Sequence, residues 1–448
     1  MSLTPALHRA RGLVIFVALL TVLRVAWVFF VPTQPTSDSA VYHGLAARLA
    51  QTGVYDTAKH RAYWPPGYPA FLALLYTVCG PSVLTAKLSN VALAALADLL
   101  TWRVVRNHAG ARAAAAALLL TALWPGRNLH VDVLSYDELA LALVLASFAL
   151  LPRSVQKRCQ EPFSAERPKA CFAEKVPDTF SAHNTWAGWA TAGFLLGLAC
   201  LVRPTLGLIP LAVGGWLLVR VCPLRRAVSR TAVYGLAMLI PIVPWTIRNY
   251  VVLHRFVPLT TNAGGNFYNS WAPGGTGEFY KPAWDRLLAA TGGDEAEFSP
   301  TGFAWGLAAI RSDPAGAAWR VVQKQVHYLG SDNWLLPAES YIAAFGGQVT
   351  LGTAIKLGLH TLTNAWYVLL LLTPLVALRG LARPLMACPL AWLGVTLFAM
   401  GLLTHTVFEA QARYHLVYLP FWSIALALLL TRSSCAAPVA PSPPAPYR

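Results

Sequence analysis

Asp38 lies in the run Ser37-Asp38-Ser39-Ala40-Val41-Tyr42, where a carboxylate sits between two hydroxyls at the start of an apolar-periodic stretch ending at Leu49. Such a carboxylate can cap a helix. A capping carboxylate can also face a cleft, so the two readings are compatible. A second acidic stretch holds Asp132, Asp137 and Glu138. The adjacent pair suits a helix N-terminus through the dipole, and it also suits an acidic group facing Asp38 across one mouth. Arg203 in Arg203-Pro204 is a cation able to hold a phosphate or to pair with a carboxylate such as Glu138. Arg248-Asn249-Tyr250 and Glu409 with Arg413, Tyr414 and His415 are further charged stretches, and Arg413 can pair with Glu409 four residues earlier on a helix. The block Tyr63-Trp64-Pro65-Pro66-Gly67-Tyr68-Pro69 places aromatic rings on a stiff frame. Those rings fit a sugar face or a membrane belt.

The elements that must position these groups are apolar. Of 448 residues, 56% are hydrophobic and 12% charged, half the charge of a soluble domain, and the mean hydropathy is +0.50. Disorder, a coiled coil and an ordinary cytosolic enzyme are excluded. The fold expected is an all-α membrane protein, a bundle of about ten or eleven transmembrane helices. Apolar spans are read near 12–31, 84–102, 110–125, 138–151, 187–202, 205–219, 231–247, 362–378, 385–403 and 415–431, with a shorter run at 69–79. The first is too long, and lacks the small-residue site, for a cleaved signal.

The net charge is +16. Its excess sits in short loops: Arg103, Arg106 and Arg112; Arg153 to Lys175; Arg220 to Arg230; Arg379 and Arg383. That pattern orients a membrane protein rather than binding nucleic acid, and it places both termini in the cytosol. The opposite, outward face then carries the loop 32–68, with an interfacial helix whose apolar side is Val41, Leu45, Ala46 and Leu49, and the segment 248–361. That segment has eight basic and eight acidic residues and the mixed polarity of a folded extramembrane unit. The organisation expected is a transmembrane region at 1–247, an extracytoplasmic region at 248–361, closing helices at 362–431 and a disordered Pro-rich tail at 432–448. The seven cysteines form no CxxC pair. The patterns GxxxxGK[ST], HExxH and GxSxG are absent.

The run from Ser37 to Tyr42, the block from Tyr63 to Pro69, Leu201-Val202-Arg203-Pro204-Thr205 and Arg413-Tyr414 followed by Pro420 resemble the GT-C membrane glycosyltransferases. The likeness is to bacterial members related to protein O-mannosyltransferases and the lipid A aminoarabinose transferase. The segment Pro258 to Gly277, with Asn262, Gly265, Asn266 and Pro273, is similar to the loop those proteins carry after a central span. The resemblance implies transfer of a sugar from a polyprenyl-phosphate carrier to a lipid, glycan or protein acceptor on the extracytoplasmic side, by one inverting displacement. It assigns Asp38 as base, Asp137 or Glu138 as a second acid, and Arg203, Arg248 and Arg413 as phosphate ligands. Tyr42, Tyr63, Trp64, Tyr68, Asn249, Asn266 and Glu409 would line the site. No metal-ligand set stands out, and a bound divalent cation is compatible with the acids present. The competing class is a multi-pass lipid or solute transporter, which needs polar groups inside the bundle. Asp98 is the clearest such charge, with Arg103 near enough to pair.

Overall fold

The computed structural model describes residues 4–57, 59–151, 182–220, 223–332, 336, 338–387 and 389–431. The basic loop after residue 151 and the Pro-rich tail fall outside them. The described chain is helical: α1 (Thr4–Phe30), α2 (Asp38–Thr52), α3 (Gly67–Cys79), α4 (Val83–Ala122), α5 (Pro125–His130), α6 (Asp137–Leu150), α7 (Ala182–Val202), α8 (Ile209–Arg220), α9 (Leu224–Leu253), α10 (Ala263–Trp271), α11 (Lys281–Ala290), α12 (Glu295–Ser312), α13 (Pro314–Leu329), α14 (Ala338–Ala344), α15 (Val349–Ala387), α16 (Pro389–Val407) and α17 (Leu419–Leu430). Short 3-10 turns cover Pro204–Leu208 and Ala412–His415. Among the described residues, five helices are long and apolar enough to cross a membrane, and four shorter apolar ones accompany them. In a bilayer every backbone polar group must be satisfied within the segment, which is why the spans are helices.

The spans expected at 84–102 and 110–125 are the two arms of α4. The turn between them falls at Gly110, whose φ of 84° a side chain would resist. Arg127 proves the reversal, since its Nη1 donates both to Asp98 Oδ1 on the first arm (2.6 Å) and to Thr121 O on the second (3.4 Å). The ten expected passes thus correspond to α1, the two arms of α4, α6, α7, α8, α9, α15, α16 and α17. The run at 69–79 is not a further span. As α3, it pairs with α2, with His43 Nδ1 and Tyr76 OH 2.8 Å apart. Lys87, one turn into α4, reaches Thr33 O at 2.9 Å, so the chain enters and leaves α3 on one face of the bundle. That face, where residues 31–66, Arg203 and Arg413 gather, is termed the site face below.

Close packing holds the bundle together where helices cross. Gly193 and Gly197, one turn apart on α7, lie so near α9 that an added Cβ would stand 2.2 Å from Tyr234 O and 2.1 Å from Met238 O. Small residues at such a crossing let the backbones approach, where van der Waals contact replaces a hydrophobic driving force. Ser147 of α6 closes the triangle, donating to Ala192 O at 2.8 Å and meeting Tyr234 OH at 2.9 Å.

The charge within the membrane is paired. Asp98 does not use Arg103. Its Oδ2 accepts from Arg24 Nη1 (2.7 Å) and its Oδ1 from Arg127, and Arg127 continues to Glu138 through two bonds of 2.8 Å. All four side chains are buried. This chain of alternating charge joins α1, α4, α5 and α6 directly beneath the site face.

Candidate active site

Asp38 opens α2 but does not cap it. Ser37 is the N-cap, held at a φ of 51° with no side-chain cap bond. That positive φ is strained for a residue with a Cβ, and Ser39 Oγ instead braces Thr36, accepting its N–H at 2.9 Å. The Asp38 carboxylate is thereby left to face the mouth. Its Oδ1 accepts the Trp64 indole N–H at 3.2 Å, and its Oδ2 lies 3.4 Å from Arg413 Nη2. Its side chain keeps 41% of its exposure while Arg413 keeps 15%. A half-open carboxylate against a nearly covered guanidinium leaves room for a substrate atom on the carboxylate side.

Asp137 comes to the same mouth from α6. It pairs with Arg203 (3.1 Å to Oδ1), not leaving that arginine to Glu138, and its Oδ2 accepts from Ser135 Oγ at 2.6 Å. Arg203 also donates to Tyr414 O at 3.2 Å. It lies over the rings of Tyr136, Tyr414 and Tyr418, 5.7, 5.5 and 5.6 Å from their centres. Arg413 stands over the same Tyr414 ring at 5.4 Å. Two guanidiniums thus share one tyrosine, each balanced by its own aspartate. Cations so held are attracted by the ring faces and lose little order on meeting an anion.

Glu409 does not pair with Arg413. The chain there is extended and then 3-10, so the helical spacing of four does not apply. Its carboxylate accepts from Gln411 Nε2 (2.6 Å), Tyr414 OH (3.1 Å) and Asn269 Nδ2 (3.3 Å). Burial pushes Glu409 above the usual carboxylate value of 4.5, against the pull of the Tyr414 and Gln411 bonds. The folded chain therefore holds this proton to higher pH than the unfolded one, and stability falls as pH rises through the folded value. The melting temperature in detergent is expected to drop by a few degrees across that window, and Glu409→Gln should flatten the drop.

Other expected residues serve the frame. Glu138 is committed to Arg127. Arg248 does not join the cluster: its guanidinium donates to Tyr55 O (2.5 Å) and Arg61 O (2.7 Å) and packs over the Trp245 ring. Asn249 donates to Val257 O and Leu259 O, fixing the turn after α9. Tyr42 sits edge-on to Tyr68 and Tyr136 within the core, and Tyr68 OH bonds Asn90. Tyr63 packs against Trp64, Trp284 and Phe298, which leaves Trp64 as the ring in contact with Asp38. Asn266 is half-buried on α10. Among the described residues, no three His, Cys, Asp or Glu side chains gather as a metal site.

The sequence reading overlooked Glu295. At the head of α12, its carboxylate accepts the N–H groups of Arg61 (2.5 Å) and Ala62 (2.7 Å) and the Thr261 hydroxyl (2.8 Å). With Arg248 it clamps the stretch that leads into Trp64. Glu295→Ala is expected to leave the buried Ala62 N–H unsatisfied, at about 1–3 kcal/mol, and to free the more exposed Arg61 N–H to water. Faster proteolysis within residues 54–62 and a lower turnover would show it.

No protein-family model matches this chain, and no curated protein matches its sequence. Solved structures do. The Archaeoglobus fulgidus oligosaccharyltransferase, tethered to an acceptor peptide, aligns over 93% of this chain at 12% identity with a TM-score of 0.51. The chain shares that protein's fold. It spans about half (49%) of that oligosaccharyltransferase. ArnT from Cupriavidus metallidurans, bound to undecaprenyl phosphate, aligns over 95% of this chain and 78% of its own at 16% identity, with a TM-score of 0.40. In the frame described here, the loop between α1 and α4, the turn after α7 and the turn after α16 meet at one mouth.

Proposed function

We propose that this protein is a membrane glycosyltransferase that moves a sugar from a polyprenyl-phosphate carrier to an acceptor hydroxyl on the extracytoplasmic side. The observation that carries the reading is the half-exposed Asp38 carboxylate facing Arg413, with Arg203 over the same Tyr414 ring. The acceptor O–H gives its proton to Asp38 as its oxygen attacks the anomeric carbon. The bond to the carrier phosphate breaks on the opposite side of the sugar, and Arg413 and Arg203 stabilise the charge that grows on the leaving phosphate. One displacement inverts the anomeric centre. No nucleotide is required, and the prenyl tail stays in the bilayer. The oligosaccharyltransferase that shares this fold has an acceptor peptide tethered to it.

The side of the membrane is supported by the basic loops at Arg103 to Arg112 and Arg225 to Arg230, which lie at the helix ends opposite the site face. The test is direct. Purified protein in vesicles is given polyprenyl-phosphate sugars and an envelope lipid extract, and products are read by mass spectrometry. Turnover that depends on Asp38 supports the reading, whereas solute flux without any transfer product overturns it in favour of a transporter.

A further inference from the structure

The depth of α13 can be read from what it touches. On its inner side Lys324 Nζ donates to Ser270 Oγ (3.1 Å), Thr406 O (3.1 Å) and Val407 O (3.3 Å). Gln325 Nε2, one residue on, donates to Leu402 O (3.2 Å) and Thr406 Oγ1 (2.8 Å). Ser270 belongs to α10, whereas Leu402, Thr406 and Val407 lie on the last two turns of α16, inside the apolar stretch Leu390–Val407 that is long enough to cross the membrane. Helix α13 therefore runs down beside the end of a span. A second marker agrees. Past α13, the Asp332 N–H donates to Asn364 Oδ1 at 2.7 Å. Asn364 lies about 7 Å along α15, at 1.5 Å per residue, beyond Leu359, which packs against the cluster of Val31, Leu336 and Tyr341 at the end of α1. The chain after α13 is thus below the level at which α1 leaves the bilayer.

The other side of α13 is apolar and uncovered. Trp319, Val322 and Val326 are 61%, 47% and 59% exposed and form one stripe by their spacing of three and four. The stripe is continuous in depth with Leu403 and Val407, which are exposed on α16. Lys324 and Gln325, on the other side of the helix, are spent on protein acceptors, and the half-buried Gln323 is the polar residue on the stripe's own flank. At its start Asp313 caps the helix by accepting the Gly316 N–H at 2.8 Å.

We propose that α13 is a half-inserted helix whose Trp319, Val322 and Val326 face contacts phospholipid acyl chains in the leaflet on the site face, with Trp319 at headgroup depth. This revises the expectation that residues 248–361 are wholly outside the membrane. It does not depend on the glycosyl reading. The opposite side of α13 packs on the turn that carries Arg413, with Tyr328 O 3.1 Å from His415 Nδ1, so the helix is a wall between lipid and the site.

The test uses the full chain in phospholipid vesicles that carry a diazirine in the acyl chain. After irradiation, lipid adducts are mapped by mass spectrometry. The exposed Leu239 and Ile240 of α9 serve as the internal standard for lipid contact. Adducts on Val322 and Val326 at a yield comparable to α9 are expected. Labelling of α9 and α16 without α13, or modification of Val326 by a water-soluble carbene reagent in place of the lipid one, overturns the proposal. So does a crosslink between two chains through this stripe, because a second copy would then be its occupant.

Discussion

Asp38→Asn is expected to lower the turnover of sugar transfer by about a hundred- to ten-thousandfold, the range for removing a general base, while leaving the fold intact. The amide keeps an oxygen for the Trp64 N–H, so the 3.2 Å contact that seats the side chain can persist. What disappears is the proton acceptor and the counter-charge of Arg413. The stability cost is small, because a pair with one partner 41% exposed is screened by solvent and such pairs contribute about 0–1 kcal/mol. Donor affinity gives the discriminating readout. A carboxylate near a phosphate repels it, so its removal should leave carrier binding unchanged or tighter. Turnover measured in vesicles, carrier binding and melting temperature together separate the roles. Wild-type turnover in Asp38→Asn would remove this residue from the chemistry. Lost binding alongside lost turnover would make it a donor ligand instead.

The sequence made the passes of the bundle legible because a lipid solvent demands long apolar runs, and the basic loops mark their ends. The turn between the arms of α4 was legible from Arg103, Arg106 and Arg112, and Gly110 supplies the backbone that makes it. That α3 is not a separate pass was not legible. Thirteen apolar residues have the same composition whether or not they cross a bilayer, and the return of the chain to one face, shown by Lys87 on Thr33, decides. Asp38 and Arg413 are 375 positions apart in sequence, so their meeting depends on the whole topology and no local spacing encodes it. The pairings assigned by proximity failed for a related reason. Glu409 with Arg413, and Asp98 with Arg103, assumed that a nearby opposite charge is the partner. The structure instead pairs Asp98 with Arg24, a charge inside the first apolar run whose presence there was the overlooked signal. Glu295 was hidden because its partners are backbone N–H groups, which leave no trace in residue type.

Arg127→Met is expected to be the most damaging substitution for stability, at about 3–5 kcal/mol, the cost of breaking a buried pair by removing one partner. Arg127 holds both Asp98 and Glu138. Without it Glu138 is left as a buried anion, and Asp98 is left to Arg24 alone. Burying an unpaired carboxylate is costly. Pairing Arg127→Met with Glu138→Met removes the orphaned charge and should recover part of the melting temperature in detergent. Glu138→Gln alone should cost less, because Arg127 keeps Asp98 and the amide oxygen still accepts from it. Sugar transfer by Arg127→Met is expected to fall only as far as the folded fraction falls, unlike Asp38→Asn, which loses turnover while folded. If Arg127→Met instead melts like the wild type and transfers nothing, the guanidinium is acting on substrate rather than holding α4, α5 and α6 together beneath the mouth.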